Sequence, residues 1–296
     1  MRNFIRSITP SFLLAAFRSF KKKQINANLE LQRKNRSGLT KSQLVAQIQA
    51  MGITLGDSVM VHASFSKIGL VNDGAEGLID ALLEVLGPTG NLLMPSSSNP
   101  KLQIDFYKES NRFDARNDAS VMGIVSECLR KRSGALRSLH PTESVVCIGP
   151  DARFFTETHH LQNTAYASES PWFKLTEKQG KILFIGIGVE RCTSFHVLED
   201  AVENFKYPVY LPDVYSFTVT TFDNLEIVVQ SKIHNPEMSA KRQCRAMIPL
   251  FKEKGVWKEY KLGAATCELV DAKLMLTVML EAYNEKGITM YASTGL

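Results

Sequence analysis

Apolar residues along this chain fall into short unbroken runs that alternate with stretches repeating every three to four positions, the signature of strands followed by helices. DSVMVHAS (57–64) reads as a strand, EGLIDALLEVLG (76–87) as a helix stopped by Gly87-Pro88, and NLLMPS (91–96) as a second strand. Together they predict a β-α-β unit. Ahead of it, TKSQLVAQIQAMG carries a capping-box pair, Thr40 and Gln43, and closes at Gly52, which predicts a short helix. A helix over 121–132, a strand over 144–148, a short helix over 151–157, a strand over 181–185 and a helix over 194–203 continue the alternation. The expected fold class is α/β, with a mainly parallel central sheet flanked by helices. Beyond Pro212 the period shortens to that of strands in SFTVTTFDNLEIVVQ. This predicts a C-terminal α+β portion with a β-hairpin turning at Asp223-Asn224, finished by a helix over 265–285.

Composition changes the picture mainly by exclusion. The 296 residues are 44% hydrophobic and 22% charged, which fits a folded globular chain and not a disordered or fibrous one. The five cysteines (128, 147, 192, 244, 267) stand singly, so neither a zinc module nor a disulfide framework is expected. A reducing, cytoplasmic setting fits, and no metal is expected. The formal charge of +5 is concentrated at the start: residues 1–40 hold nine Lys or Arg against Glu30 alone. The rest of the chain is slightly acidic, which argues against a nucleic-acid partner.

The chain therefore divides into a basic N-terminal arm and linker, 1–37, and a body, 38–296. Within the arm, Phe4, Ile5, Ile8, Phe12, Leu13, Ala16, Phe17 and Phe20 repeat at helical spacing among Arg2, Arg6, Arg18 and Lys21 to Lys23. Its unbroken apolar stretch is far short of the roughly 20 residues of a bilayer-spanning helix. The expectations for residues 1–23 are peripheral contact with the inner face of a membrane, docking on a partner subunit, or a disordered arm.

Several chemistries drop out by motif. Gly186 and Gly188 follow the apolar run KILFI, but position 191 is Arg, so the dinucleotide fingerprint fails. No phosphate loop, nucleophile elbow or zinc-protease helix is present. What remains is polar residues at the ends of predicted strands, where open α/β sheets bind ligands. These are HASFSKIG (62–69), Ser96-Ser97-Ser98 and CTSFHVLE (192–199).

Six ordered motifs make the chain similar to the aminoglycoside 3-N-acetyltransferase family over residues 40–285. They are VHASFSKIG (61–69), LGPTG (86–90), MPS (94–96), RSLHPTES (137–144), SPW (170–172) and T-x-x-H-x-x-E (193–199). The resemblance implies acetyl-CoA as donor and an amino-sugar amine as acceptor. It places His62, Ser64, Ser66, Lys67 and Gly69 on the loop bordering CoA, with Ser96 in the same groove, and makes His196 the catalytic histidine. Arg137 and His140-Pro141 also match a family motif, but their spacing demands no chemistry and a structural turn is the preferred reading.

The chemistry supports a histidine independently. An ammonium group has no lone pair with which to attack a thioester, and a histidine with an ordinary value near 6.5 is suited to take the proton. Glu199, at i+3, can orient the His196 ring, and the Thr193 hydroxyl is a candidate donor to the oxyanion of the tetrahedral adduct. Cys192 offers a rival acyl-cysteine route, ranked below direct transfer because a lone Cys beside an apolar strand is usually a small buried residue.

Where family members carry acidic residues after the late hairpin, this chain has Ser231-Lys232-Ile233-His234-Asn235-Pro236. A basic loop disfavours a polycation. The expected acceptor therefore carries few positive charges, as a nucleotide- or lipid-linked amino sugar in surface-glycan biosynthesis would, with His234 and Lys232 beside it. Inactivation of aminoglycoside antibiotics by the same chemistry, and a non-catalytic membrane-associated CoA- or glycan-binding protein, are the alternatives. Trp172 is either core or a platform for the acceptor sugar. His159-His160 is expected at the surface or lining the acceptor pocket.

Overall fold

A computed structural model describes residues 38–291 and, ahead of them, residues 19, 20, 23, 24, 27 and 30; the remainder of the basic arm, and with it the expectation of membrane contact, lies outside the described residues. Ten strands are present among them: β1 (Ser58–Ala63), β2 (Asn91–Pro95), β3 (Arg112–Asp114), β4 (Leu136–Arg137), β5 (Val145–Ile148), β6 (Lys181–Ile185), β7 (Tyr210–Thr220), β8 (Glu226–His234), β9 (Trp257–Leu262) and β10 (Ala265–Asp271). Seven form one sheet in the order β4-β5-β2-β1-β6-β10-β9, and β3-β7-β8 form a second.

The α/β class holds, with a correction to the sheet's direction. Only its centre is parallel, β1 pairing with β2 and β6. The outer pairs β2-β5, β5-β4, β6-β10 and β10-β9 are antiparallel, making the sheet mixed. Residues 265–271, expected to begin the last helix, are strand β10, with alternating burial over Ala265 to Leu269. That helix starts at Ala272, where the Asp271 side chain accepts from the Leu274 backbone N–H as an N-cap.

Both faces of the large sheet are covered. Helices Lys41–Ala50, Gly74–Leu86 and Ile124–Lys131 lie on one side, and Pro171–Glu177 and Ala272–Lys286 on the other. The first helix is fixed by the expected capping box: Thr40 N–H donates to Gln43 Oε1 at 2.9 Å, and Gln43 N–H to Thr40 Oγ1 at 3.3 Å. The helix Gly74–Leu86 buries Leu78, Ile79, Leu82, Val85 and Leu86, each worth about 1.5–3 kcal/mol on removal from water. The smaller sheet has its own core of Phe113, Phe217, Val219, Val229 and Ile233, and its β7-β8 hairpin turns at Asn224, whose φ is 59°.

This architecture sets the site's place. Strands β1, β2 and β6 run the same way, so the loops after Ala63, Pro95 and Ile185 gather at one edge of the sheet. Gly186 lets them approach: its φ is 62°, and a Cβ there would stand 2.8 Å from Lys67 Cβ. The glycine after β6 thus serves loop packing, which accounts for a G-x-G without a dinucleotide fingerprint.

Candidate active site

The T-x-x-H-x-x-E segment leaves β6 through two 3₁₀ turns, the second over Thr193–His196, and enters a short helix, Val197–Ala201. His196 and Glu199 therefore lie one turn apart and meet. His196 Nδ1 is 2.9 Å from Glu199 Oε2, with both side chains almost wholly buried. Burial lowers His196 to about 4 against the raising influence of Glu199, so the ring is neutral at pH 7. Burial also opposes ionisation of Glu199, but His196 and His234 hold its carboxyl well below the usual carboxylate range.

The partners settle the tautomer. An ionised carboxylate only accepts, so Nδ1 carries the proton and donates to Glu199. On the other side of the ring Arg242 Nη1 donates to Nε2 at 2.7 Å, and a guanidinium only donates, so Nε2 presents its lone pair outward. Glu199 anchors more than one group: Tyr291 Oη donates to its Oε1 at 2.5 Å, and His234 Nε2 lies 3.4 Å from its Oε2 without a hydrogen bond. Tyr166 packs on the His196 ring at 4.8 Å between centroids, and the His234 ring is 4.4 Å away. Asp200 steadies this wall, accepting from Tyr210 Oη at 2.9 Å and from the Tyr166 backbone at 3.1 Å.

His234, expected beside the acceptor, thus sits against the dyad itself, its ring stacked on Tyr210 at 4.8 Å. Trp172 is a correction: it is fully buried, packed edgewise on His159 and 4.9 Å from Tyr166, and offers no face to a sugar. It supports Tyr166 from behind. His159 is likewise core and not surface, with its ring nitrogens taken up by Ser138 Oγ at 2.8 Å and the Ala165 carbonyl at 2.9 Å. Arg137 is structural as expected: buried over Phe113, it donates to the carbonyls of Ser96, Ala115 and Asp118. Cys192 is buried, and burial pushes its thiol well up, away from a nucleophilic thiolate.

The residues expected to border CoA lie at the carboxyl edge of the parallel strands. His62 is the last but one residue of β1, stacked on Phe184 at 5.0 Å; Ser64, Ser66, Lys67 and Gly69 occupy the following turn; Ser96 follows β2. Polar atoms here are buried and unpartnered: His62 Nε2, Ser96 Oγ, Ser98 Oγ, Thr193 Oγ1 and Ser194 Oγ. Orphans of this kind are costly unless a ligand satisfies them, and hydroxyls and an imidazole suit the amides and thioester of a pantetheine arm. A cavity of about 560 Å3 opens next to this edge between Ser98, Phe106, Arg112 and Asp118, and none of its walls belongs to the dyad.

A neutral imidazole held by a carboxylate on one nitrogen, with a lone pair on the other, next to a polar strand-end groove, is an arrangement able to accept a proton from a bound nucleophile. Residues 60–284 match the family model described as aminoglycoside 3-N-acetyltransferase. The chain belongs to that family, whose members are acyltransferases using acetyl-CoA. Among its relatives is the aminoglycoside N(3)-acetyltransferase III of Salmonella, 28% identical over 259 residues, covering 80% of this chain and 89% of the relative. The crystal structure of aminoglycoside acetyltransferase AAC(3)-Xa superposes with a TM-score of 0.75 at 25% identity, over 88% of this chain and 97% of that one. AAC-IIIb, solved with CoASH, does so with a TM-score of 0.69 at 24% identity, over 83% and 97%.

Two contributors to the site were not legible in sequence. Arg242 lies 46 positions beyond His196, in an irregular stretch after the hairpin. Tyr291 follows the last helix, where no periodicity marks it. The MPS and VHASFSKIG motifs, by contrast, were sufficient to locate the strand-end edge.

Proposed function

We propose that this protein transfers the acetyl group of acetyl-CoA directly to a primary amine of an amino sugar, with His196 as general base. The observation that carries this reading is the buried dyad, in which Nδ1–H is committed to Glu199 and Nε2 is left as the proton acceptor. The amine nitrogen attacks the thioester carbon. As the C–N bond forms the nitrogen becomes acidic, and Nε2 takes its proton. The C–S bond then breaks, the departing thiolate takes up the proton held at Nε2, and CoA and the amide leave with the imidazole neutral again. Glu199 stabilises the imidazolium in the interval, and general-base assistance of this kind supplies about 10²- to 10⁴-fold. Thr193 Oγ1, unpartnered and three residues before the base, is the proposed donor to the oxyanion. His62, Ser64, Ser66, Lys67, Gly69 and Ser96 are proposed to bind acetyl-CoA, and His234 to border the acceptor.

Aminoglycosides, named for the relatives, are the first acceptors to test. A second reading, acetylation of a nucleotide-linked amino sugar in surface-glycan biosynthesis, is favoured by one observation: Lys232, Lys241 and Arg242 have no carboxylate within ion-pair distance among the described residues. Thiol release from acetyl-CoA with kanamycin, gentamicin and a UDP-linked amino sugar tests both. Turnover should fall by about 10²- to 10⁴-fold in His196→Ala; undiminished turnover in that variant overturns the mechanism.

A further inference from the structure

The Arg242 guanidinium occupies the one position an acceptor amine must reach. Its Nη1 stands 2.7 Å from His196 Nε2, inside the range at which a base takes a proton from its substrate. While it remains there, the base's lone pair is engaged. The side chain is otherwise loosely held: Arg242 is exposed, and its remaining hydrogen bond is from Nε to the Ser239 carbonyl at 3.1 Å. The backbone beneath it is fixed, since Gln243 N–H donates to the Met290 carbonyl at 2.6 Å and Cys244 is buried. A guanidinium drawn off Nε2 therefore swings on a firm stem and stays at the rim of the site.

The charges around it decide what can draw it off. Glu199 is occupied by His196 and Tyr291, Asp200 by Tyr210 and the Tyr166 backbone, and Glu143 by Gln103 Nε2 at 2.8 Å. These carboxylates are taken up internally. Lys232, on the same face of β8 as His234, and Lys241, next to Arg242, add positive charge without a carboxylate partner among the described residues.

Resting on the proposed transfer to an amine, we infer that Arg242 is a specificity-determining residue: it yields the base to an acceptor carrying a phosphate or carboxylate beside its amine, and obstructs polycations. An anionic group gains a charge-assisted, bidentate-capable partner as the guanidinium leaves Nε2. A polycation gains none and meets an added positive charge at the rim.

The experiment compares the full chain with Arg242→Gln and Arg242→Lys on glucosamine, glucosamine 6-phosphate and kanamycin, by thiol release. The unaltered protein should show a higher kcat/KM for the phosphorylated sugar than for glucosamine. Arg242→Gln should shrink that ratio about 10- to 100-fold, the range of one charged hydrogen bond, and raise kcat/KM for kanamycin; Arg242→Lys should keep most of the preference. His196 faces Glu199, His234, Tyr166 and Arg242. Removing the cation among them should move the acid limb of the kcat pH profile upward, which a merely structural residue would not do. An unchanged acceptor ratio in Arg242→Gln, or a rise confined to the KM for acetyl-CoA, overturns the assignment while leaving the transferase intact. Absence of turnover of every acceptor by the unaltered protein overturns the transferase reading itself.

Discussion

Glu199→Gln isolates what the carboxylate does for the base. The substitution keeps size and shape at a side chain only 1% exposed, and removes the acceptor for His196 Nδ1–H at 2.9 Å. A hydrogen bond to a charged partner contributes about 1.5–3 kcal/mol, which corresponds to a loss of about 10- to 100-fold where bond strength alone matters. The tautomer adds to this. A glutamine amide can donate to Nδ1, which would place the proton on Nε2 and remove the lone pair that Arg242 now caps. The general-base contribution of about 10²- to 10⁴-fold then disappears as well. We expect kcat to fall by about 10²-fold or more, with little change in the KM for acetyl-CoA. The assay is thiol release under saturating acceptor, with the melting temperature measured alongside to show that the variant is folded. His196→Ala/Glu199→Gln should be no slower than His196→Ala alone, because the two residues act as a unit. A Glu199→Gln enzyme within about threefold of the parent, or a double variant whose losses multiply, would refute the dyad.

Three further outcomes follow from the geometry. Burial lowers His62 and His196 to about 4 and His140 to about 3, so as pH falls below 6.5 the unfolded chain takes up protons that the folded chain refuses. Stability, present in full above 6.5, should decline steeply toward pH 4, each ring contributing on the order of 3 kcal/mol; a flat urea midpoint between pH 7 and 4.5 would contradict this. Trp172→Ala should cost about 3–5 kcal/mol by urea unfolding, because the ring is fully buried in the core. A small stability loss paired with a large rise in acceptor KM would restore it as a sugar platform. Cys192→Ala should turn over at nearly the parental rate, and a loss as great as that of His196→Ala would revive an acyl-cysteine intermediate.

The parts of this structure legible in sequence were those encoded locally. The capping pair Thr40 and Gln43, the helix ended by Gly87-Pro88 and the spacing of His196 and Glu199 each depend on neighbours within one turn, and each forms as expected. Strand direction is not local: VVCI (145–148) reads the same whether it runs with β2 or against it. Residues 265–271 were misread as helix because their apolar content continues into the next segment; Asp271, an N-cap signal, marked the true boundary. Trp172 in S-P-W satisfied both readings, since a motif gives the residue and not its burial. Arg242 and Tyr291 touch the dyad only through tertiary folding, from 46 and 92 positions away, and no periodicity reports such contacts.

The bond from Tyr291 to Glu199 ties the proposed base's carboxylate to a residue beyond the last helix. On the ribosome, strands β1 and β6 and the histidine itself emerge long before residue 291 does. A nascent chain can thus build its central sheet while its base still lacks one of the struts of its carboxylate. In the finished molecule the same tie couples loosening of the segment after Lys286 to loss of a strut of the carboxylate, so that Tyr291→Phe should slow turnover well before the fold melts.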